Sequence, residues 1–145
     1  MIVSDDHAYW EPIANHPRVF EKIALPGMEV IDTAAYWGSS LGLQFPGGGF
    51  VITRLSEGVW TVHALFVPGN WHVRRCASEV LRYLFTQTDC VELVATPPAD
   101  LPHSIKLALD MEMTHRRTLL DAYPRAGGNV AVHILSLTKT DWGKL

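Results

Sequence analysis

Cysteine is scarce in this sequence, with only Cys76 and Cys90 among 145 residues. That excludes a disulfide framework and a cysteine zinc site. If the chain between them is largely helical, the two lie about 20 Å apart at roughly 1.5 Å per residue. A disulfide needs Cα atoms within about 7 Å. The expectation is a reduced, cytoplasmic protein. Basic charge is also short: twelve Lys and Arg stand against fifteen Asp and Glu, a net charge of −3. Neither a general nucleic-acid binder nor a membrane-surface binder is expected from that balance. Long hydrophobic runs are missing as well. The stretch from Thr33 to Thr53 carries no charge, but Gly38, Gly42, Pro46 and Gly47, Gly48 and Gly49 break it, so it does not read as a membrane span. The first residues (Met1, Ile2, Val3, Ser4, Asp5, Asp6) are acidic and lack an apolar segment, so no secretory signal is expected. Seven His residues show no HExxH or similar close spacing, and no metal site is expected. Gly38-Ser39-Ser40 does not fit the G-x-S-x-G nucleophile elbow.

Apolar residues are plentiful, at 48% with five Trp and five Phe. This supports one packed domain over residues 1–145 rather than two, each near the size where a core becomes marginal. Asn15, His16 and Pro17 read as a helix entry, with Val19, Phe20 and Ile23 as its apolar stripe and Leu25, Pro26 and Gly27 as its end. Strands are expected at Met28 to Asp32, Leu41 to Phe45 and Phe50 to Arg54. Turns are expected at Pro46 to Gly49 and Ser56 to Gly58. Val59 to Val67 is strongly β-prone and reads as the return strand of a hairpin. Pro68, Gly69 and Asn70 break it. Ala77, Val80, Leu81, Leu84 and Phe85 then recur at helical spacing, on a helix expected to begin near Arg75. Cys90 to Ala95 is the next strand. Asp100 is a candidate N-cap, with Pro102 in the first turn and Ile105, Ala108, Leu109 and Met113 as a second stripe. Thr118 to Tyr123 and Val130 to Leu137 read as a closing hairpin. The central strand–helix–strand unit should be parallel and right-handed. The fold class is therefore α/β (α+β): a mixed, mostly antiparallel sheet flanked by helices.

That order resembles the acyl-CoA N-acyltransferase fold of the GNAT superfamily over most of the chain. The segment PGNWHVRRCASEVLRYLF, Pro68 to Phe85, sits where those proteins carry a strand, a pyrophosphate loop of pattern Gln/Arg-x-x-Gly-x-Gly/Ala, and an amphipathic helix. On that alignment His72 takes the Gln/Arg position, Arg75 the first Gly and Ala77 the last. Cys90 to Met113 resembles the second cofactor element, with Ser104 where Asn is common and Glu112-Met113 where Gly-Phe ends the helix. VAVHILSLTKTDW, Val130 to Trp142, resembles the last strand and its Asp-Trp tail.

The resemblance implies an N-acetyltransferase that uses acetyl-CoA or another acyl-CoA as cosubstrate. It implies cofactor contacts from Phe66, Val67, Val73, Arg74, Arg75, Cys76, Ala77, Ser78 and Ser104. The leaving thiolate's usual acid, a Tyr, is replaced by Ala108, and Tyr123 lies outside that helix. Free N–H groups at a helix N-terminus, flanked by Arg74 and Arg75, suit an anionic cofactor; a solvated loop is the alternative. Glu92, in alternation with Val91 and Leu93, reads as facing solvent or an unoccupied part of the groove. Cys76, at a helix N-terminus between Arg75 and Ala77, is a candidate for a lowered thiol pKa, against a small buried residue under the helix. His63, on the strand that would splay from Cys90 to Ala95, is the candidate base, against a hydrogen-bonded structural role. His103 and Ser104 read as capping residues. The acceptor would be a small-molecule or peptide amine, with no nucleic acid or membrane and with room for a homodimer. The alternative is a catalytically inactive GNAT-like binding or assembly protein, of the kind encoded by phages. Tyr9, Trp10, Tyr36, Trp37 and Trp71 would then suit an interface, against simple core packing.

Overall fold

The computed structural model describes residues 1–69 and 72–145. Asn70 of the expected turn and Trp71 lie outside them. Along the chain run β1 (Ile2–Val3), α1 (His7–Ala14), α2 (Pro17–Ile23), α3 (Thr33–Trp37), β2 (Leu41–Phe45), β3 (Gly48–Ser56) and β4 (Val59–Phe66). Then follow α4 (Val73–Gln87), β5 (Glu92–Ala95), α5 (Pro102–Asp110), β6 (Thr114–Tyr123), β7 (Val130–Thr138) and α6 (Lys139–Trp142). The strands form one seven-stranded sheet in the order β1-β2-β3-β4-β5-β7-β6. Among the described pairings, β4 beside β5 is parallel and the others are antiparallel. The strand–helix–strand expectation thus holds.

Period-two alternation sends the sheet's side chains into two separate cores. One face packs Leu43, Phe50, Ile52, Trp60, Val62 and Leu93 against Ala77, Val80, Leu81, Leu84 and Phe85 of α4, and against Ala108 of α5. The other face packs Val51 and Leu65 against Trp10 and Ile13 of α1, Val19 of α2 and Trp37 of α3. Trp10 lies flat enough on the sheet to need two glycines beneath it. A Cβ on Gly42 would come within 2.6 Å of its indole nitrogen, and one on Gly49 within 2.6 Å of its ring. The Gly47 to Gly49 run is therefore only partly a turn: Pro46-Gly47 makes the corner, and Gly48 and Gly49 are already in β3.

Four local expectations give way to tertiary contacts. Met28 to Asp32 is not a strand. Asn15 takes both backbone groups of Ile31 that a ladder would have used, accepting at 2.7 Å and donating at 2.8 Å, and Asp32 caps α3. Asp100 does not cap α5, because its carboxylate is held by Arg125 at 2.9 and 3.0 Å. Leu109 is exposed; Ala108 and Met111 carry that packing, and Met113 lies beyond the helix. Trp10 and Trp37 are core residues. Tyr9 spends its hydroxyl on the Phe45 and Gly48 backbone. α1, for which the sequence analysis had no helix, forms on an Asp6 cap, the Asp6 side chain accepting from the N–H of Ala8 at 3.0 Å.

The end of α5 closes on a left-handed residue. The Met113 N–H donates to the Ala108 carbonyl at 3.1 Å, and the Glu112 N–H to the Leu109 carbonyl at 3.0 Å. This is a Schellman closure. It puts Glu112 at φ +64°. A left-handed conformation costs an L-residue roughly 1–2 kcal/mol, while glycine loses about 0.5–1 kcal/mol more entropy on folding. Glu112→Gly is expected to stabilise the fold by roughly 0.5–1 kcal/mol, read as a higher urea midpoint with an unchanged slope.

Candidate active-site groove

β4 and β5 stay together for three residues only, Val59–Thr61 against Glu92–Val94. Past that point the β5 chain follows β7. The Pro97 carbonyl accepts from the His133 N–H at 3.0 Å, and the Ala99 N–H donates to the Ala131 carbonyl at 2.8 Å. Alternation then turns the backbone of Pro98 toward β4, where it has no N–H to give. On the opposite side of the gap, the Val67 N–H donates to the Gly47 carbonyl at 3.0 Å. Counting back from it, Phe66 and Ala64 turn their backbone groups into the opening, as does the carbonyl of Val62, whose N–H closes the ladder on Val94. The two strands thus splay, leaving a strip of unpaired strand backbone.

A cavity of about 260 Å³ fills the splay. It takes its walls from both sides of the sheet: Trp37, Val51, His63 and Leu65 from one, Phe50, Val62, Ala64, Ala108 and Met111 from the other. The groove therefore passes through the sheet. A second cavity of about 340 Å³ shares Lys22, Ala64, Leu101 and Ser104 with it, and runs along α5 to Phe66, Val73, Lys106 and Asp110. Val73 brings the first turn of α4 to its edge.

His63 lies in mid-β4, opposite Val51. Its ring reaches the water of the groove, yet the crowding walls disfavour a charge there and hold the imidazolium below its usual pKa. The ring makes no hydrogen bond or ion pair among the described residues, so neither nitrogen is committed to a structural bond.

The other sequence candidates divide. Phe66, Val73 and Ser104 line the second cavity. Neither His103 nor Ser104 caps α5, which has no side-chain cap. Val67 is bound to Gly47, as above. The stretch Val73 to Ser78 is not a loop: the His72 carbonyl already accepts the Cys76 N–H at 2.9 Å, so α4 begins two residues ahead of Arg75. Helical spacing then turns Cys76 and Ala77 into the core and leaves Arg74, Arg75 and Ser78 outside. Burial, with nearby Glu79 adding to it, raises the Cys76 thiol pKa. The Ser78 hydroxyl donates to the Arg74 carbonyl at 3.2 Å. Arg74 stands 3.6 Å from the Asp110 carboxylate, which Lys106 also holds at 2.8 Å. The Lys106 hydrogen bond, helped by the Arg74 charge, keeps Asp110 below the ordinary carboxylate range.

Sequence reasoning missed Lys22, Lys106 and the position of Tyr123. No spacing in the chain ties the two lysines to β4. Tyr123 comes to the groove from β6 rather than α5. Its hydroxyl donates to the Ile23 carbonyl at 3.2 Å, and the Arg125 guanidinium lies 4.7 Å over its ring.

No protein-family model and no curated protein matches the chain. Solved structures do. Spermidine N-acetyltransferase from Vibrio cholerae, in complex with CoA and spermine, superposes with a TM-score of 0.78 over 94% of this chain and 92% of its own, at 11% identity. An acetyltransferase of the GNAT family from Bacillus anthracis gives 0.71 over 95% and 94%, at 12% identity. A probable acetyltransferase gives 0.72 over 95% and 89%, also at 12%. This chain has the GNAT fold. The mixed seven-stranded sheet with its flanking helices carries the likeness. Departures from the GNAT loop pattern, Arg75 in place of glycine above all, sit on the outer side of α4. No helix among the described residues is long and apolar enough to cross a membrane.

Proposed function

We propose that this GNAT-fold protein is an acyl-CoA-dependent N-acyltransferase, carrying an acetyl group from acetyl-CoA to an amine. The observation that carries the reading is the groove through the sheet, with His63 on the α1–α3 side and a helix N-terminus with cations on the other. Two substrates can meet there from opposite faces. The cosubstrate fits the α4–α5 side. The backbone groups of Ala64 and Phe66 can pair with an extended amide-bearing chain, as a neighbouring strand would. The first N–H groups of α4 have no acceptor within the helix, and they and the helix dipole favour phosphate, with Arg74, Arg75 and Lys106 adding positive charge.

Bound acyl-CoA supplies an activated acyl thioester. The residues of this chain supply position, polarity and a proton acceptor. The Ala64 backbone, facing the gap beyond the last β4–β5 pair, offers an N–H to the carbonyl oxygen as negative charge develops on it. The amine's nitrogen forms the new C–N bond, the C–S bond breaks, and sulfur leaves with the bonding pair. The proton the nitrogen sheds passes to the neutral ring of His63, directly or through water, and the thiolate is protonated from solvent. Holding both reactants in one slot supplies much of the rate.

Calorimetric titration with acetyl-CoA tests the first step, and release of free thiol in the presence of amines tests the second. Replacing Arg74 and Arg75 together by alanine is expected to weaken acetyl-CoA binding by about 1–3 kcal/mol for each charged hydrogen bond lost. Unchanged or tighter binding would show that the two guanidiniums do not hold the phosphates. No binding by the parent at millimolar acetyl-CoA would overturn the function itself.

A further inference from the structure

The acceptor side of the groove has a chemical character of its own. Trp37, Val51, Leu65, Ile23 and Val132 make it apolar. No Asp or Glu lines this cavity among the described residues. The charged side chain that does is Lys22, at the junction with the second cavity. The carboxylate that lines the adjoining second cavity, Asp110, is already held by Lys106 at 2.8 Å and by Arg74 at 3.6 Å. The indole N–H of Trp37 is buried and has no hydrogen-bond partner among the described residues. This wall thus holds a cation and no carboxylate to pair with a positive charge.

An amine entering to react must lose one proton, and one ammonium is therefore neutralised by the reaction itself. A second ammonium on the same molecule would be left between apolar walls and Lys22. Placing an unpaired charge there is unfavourable on desolvation and on repulsion alike. Apolar bulk meets no such penalty, and the indole of Trp37 gives an aromatic wall that suits a ring. Resting on the acyltransferase reading, we propose that the acceptor is a primary monoamine with an apolar body of aromatic size, and that diamines and polyamines are rejected.

The experiment compares tryptamine and phenethylamine with putrescine and spermidine as acceptors, by thiol release from acetyl-CoA at pH 8. The expected kcat/KM for the aromatic monoamines is at least tenfold above that for spermidine. Lys22→Glu is expected to narrow the ratio at least threefold by raising the spermidine value. A ratio between amines cancels any change in acetyl-CoA affinity. Spermidine turned over as well as tryptamine, or a ratio untouched by Lys22→Glu, would overturn the assignment and leave the acyltransferase reading standing. If no amine is turned over, or acetyl-CoA does not bind and that reading falls, calorimetric titration of tryptamine and spermidine, with and without CoA, decides the assignment separately. Tryptamine binding at least tenfold tighter supports it; the reverse order, equal affinities or no binding by either overturns it.

Discussion

His63→Ala should slow acetyl transfer by about 10²–10⁴, the usual cost of losing a general base, while acetyl-CoA affinity stays nearly constant. The constancy follows from topology: the His63 side chain belongs to the face of Val51 and Leu65, and the proposed phosphate contacts lie across the sheet on α4 and α5. The pH profile adds a check. The crowding walls of the groove lower the His63 pKa below 6.5, so the ring is neutral and able to accept a proton throughout the range above pH 7. The parent rate should be limited there by deprotonation of the amine, and should fall in acid as His63 protonates. The variant should lose that acid limb. The same shift bears on stability. An unfolded His63 protonates more readily than the folded one, so its contribution is complete above pH 6.5 and is lost as pH falls toward the lower folded pKa. Equal rates for parent and variant from pH 6 to 9 would remove His63 from the mechanism and leave water or substrate as the proton carrier.

Leu84→Ala is expected to cost roughly 2–5 kcal/mol. Leu84 is fully buried, at the centre of the core between α4 and the sheet. Deleting its side chain removes apolar contact and leaves a cavity that the surrounding aromatic and branched residues cannot collapse to fill. Against a total stability of about 5–15 kcal/mol for a domain of this size, that is a large share. Leu120, 79% exposed on β6, is the matched control, since Leu120→Ala removes contacts mostly made with water. Urea melts of the two variants should therefore differ sharply. Similar midpoints would mean that α4 does not pack as described.

Much of this architecture could be read from the chain because its signals are local. The 3.6-residue spacing of Ala77, Val80, Leu81, Leu84 and Phe85 needs a helix with one buried face, and the branched run from Val59 needs a strand. A parallel crossover follows from placing one between two strands. Pro97 and Pro98 even mark the place where the ladder must stop, since proline has no donor to extend it. The candidate base could be singled out in the same way, as the titratable residue in that strand.

What the chain could not show was which groups meet across it. The Met28 to Asp32 segment looked β-prone, but Asn15, sixteen residues before Ile31, took the backbone bonds a strand would have needed. Asp100 looked like a cap until Arg125 supplied a stronger partner. Arg74 and Arg75 are adjacent in sequence at the helix start, yet the cations that line the groove, Lys22 and Lys106, come from different helices. Local propensity is an energy of neighbouring residues, and it decides elements. The groove's charge and its passage through the sheet depend on contacts between residues tens of positions apart, whose formation is set by packing, and only the tertiary structure brings those residues together.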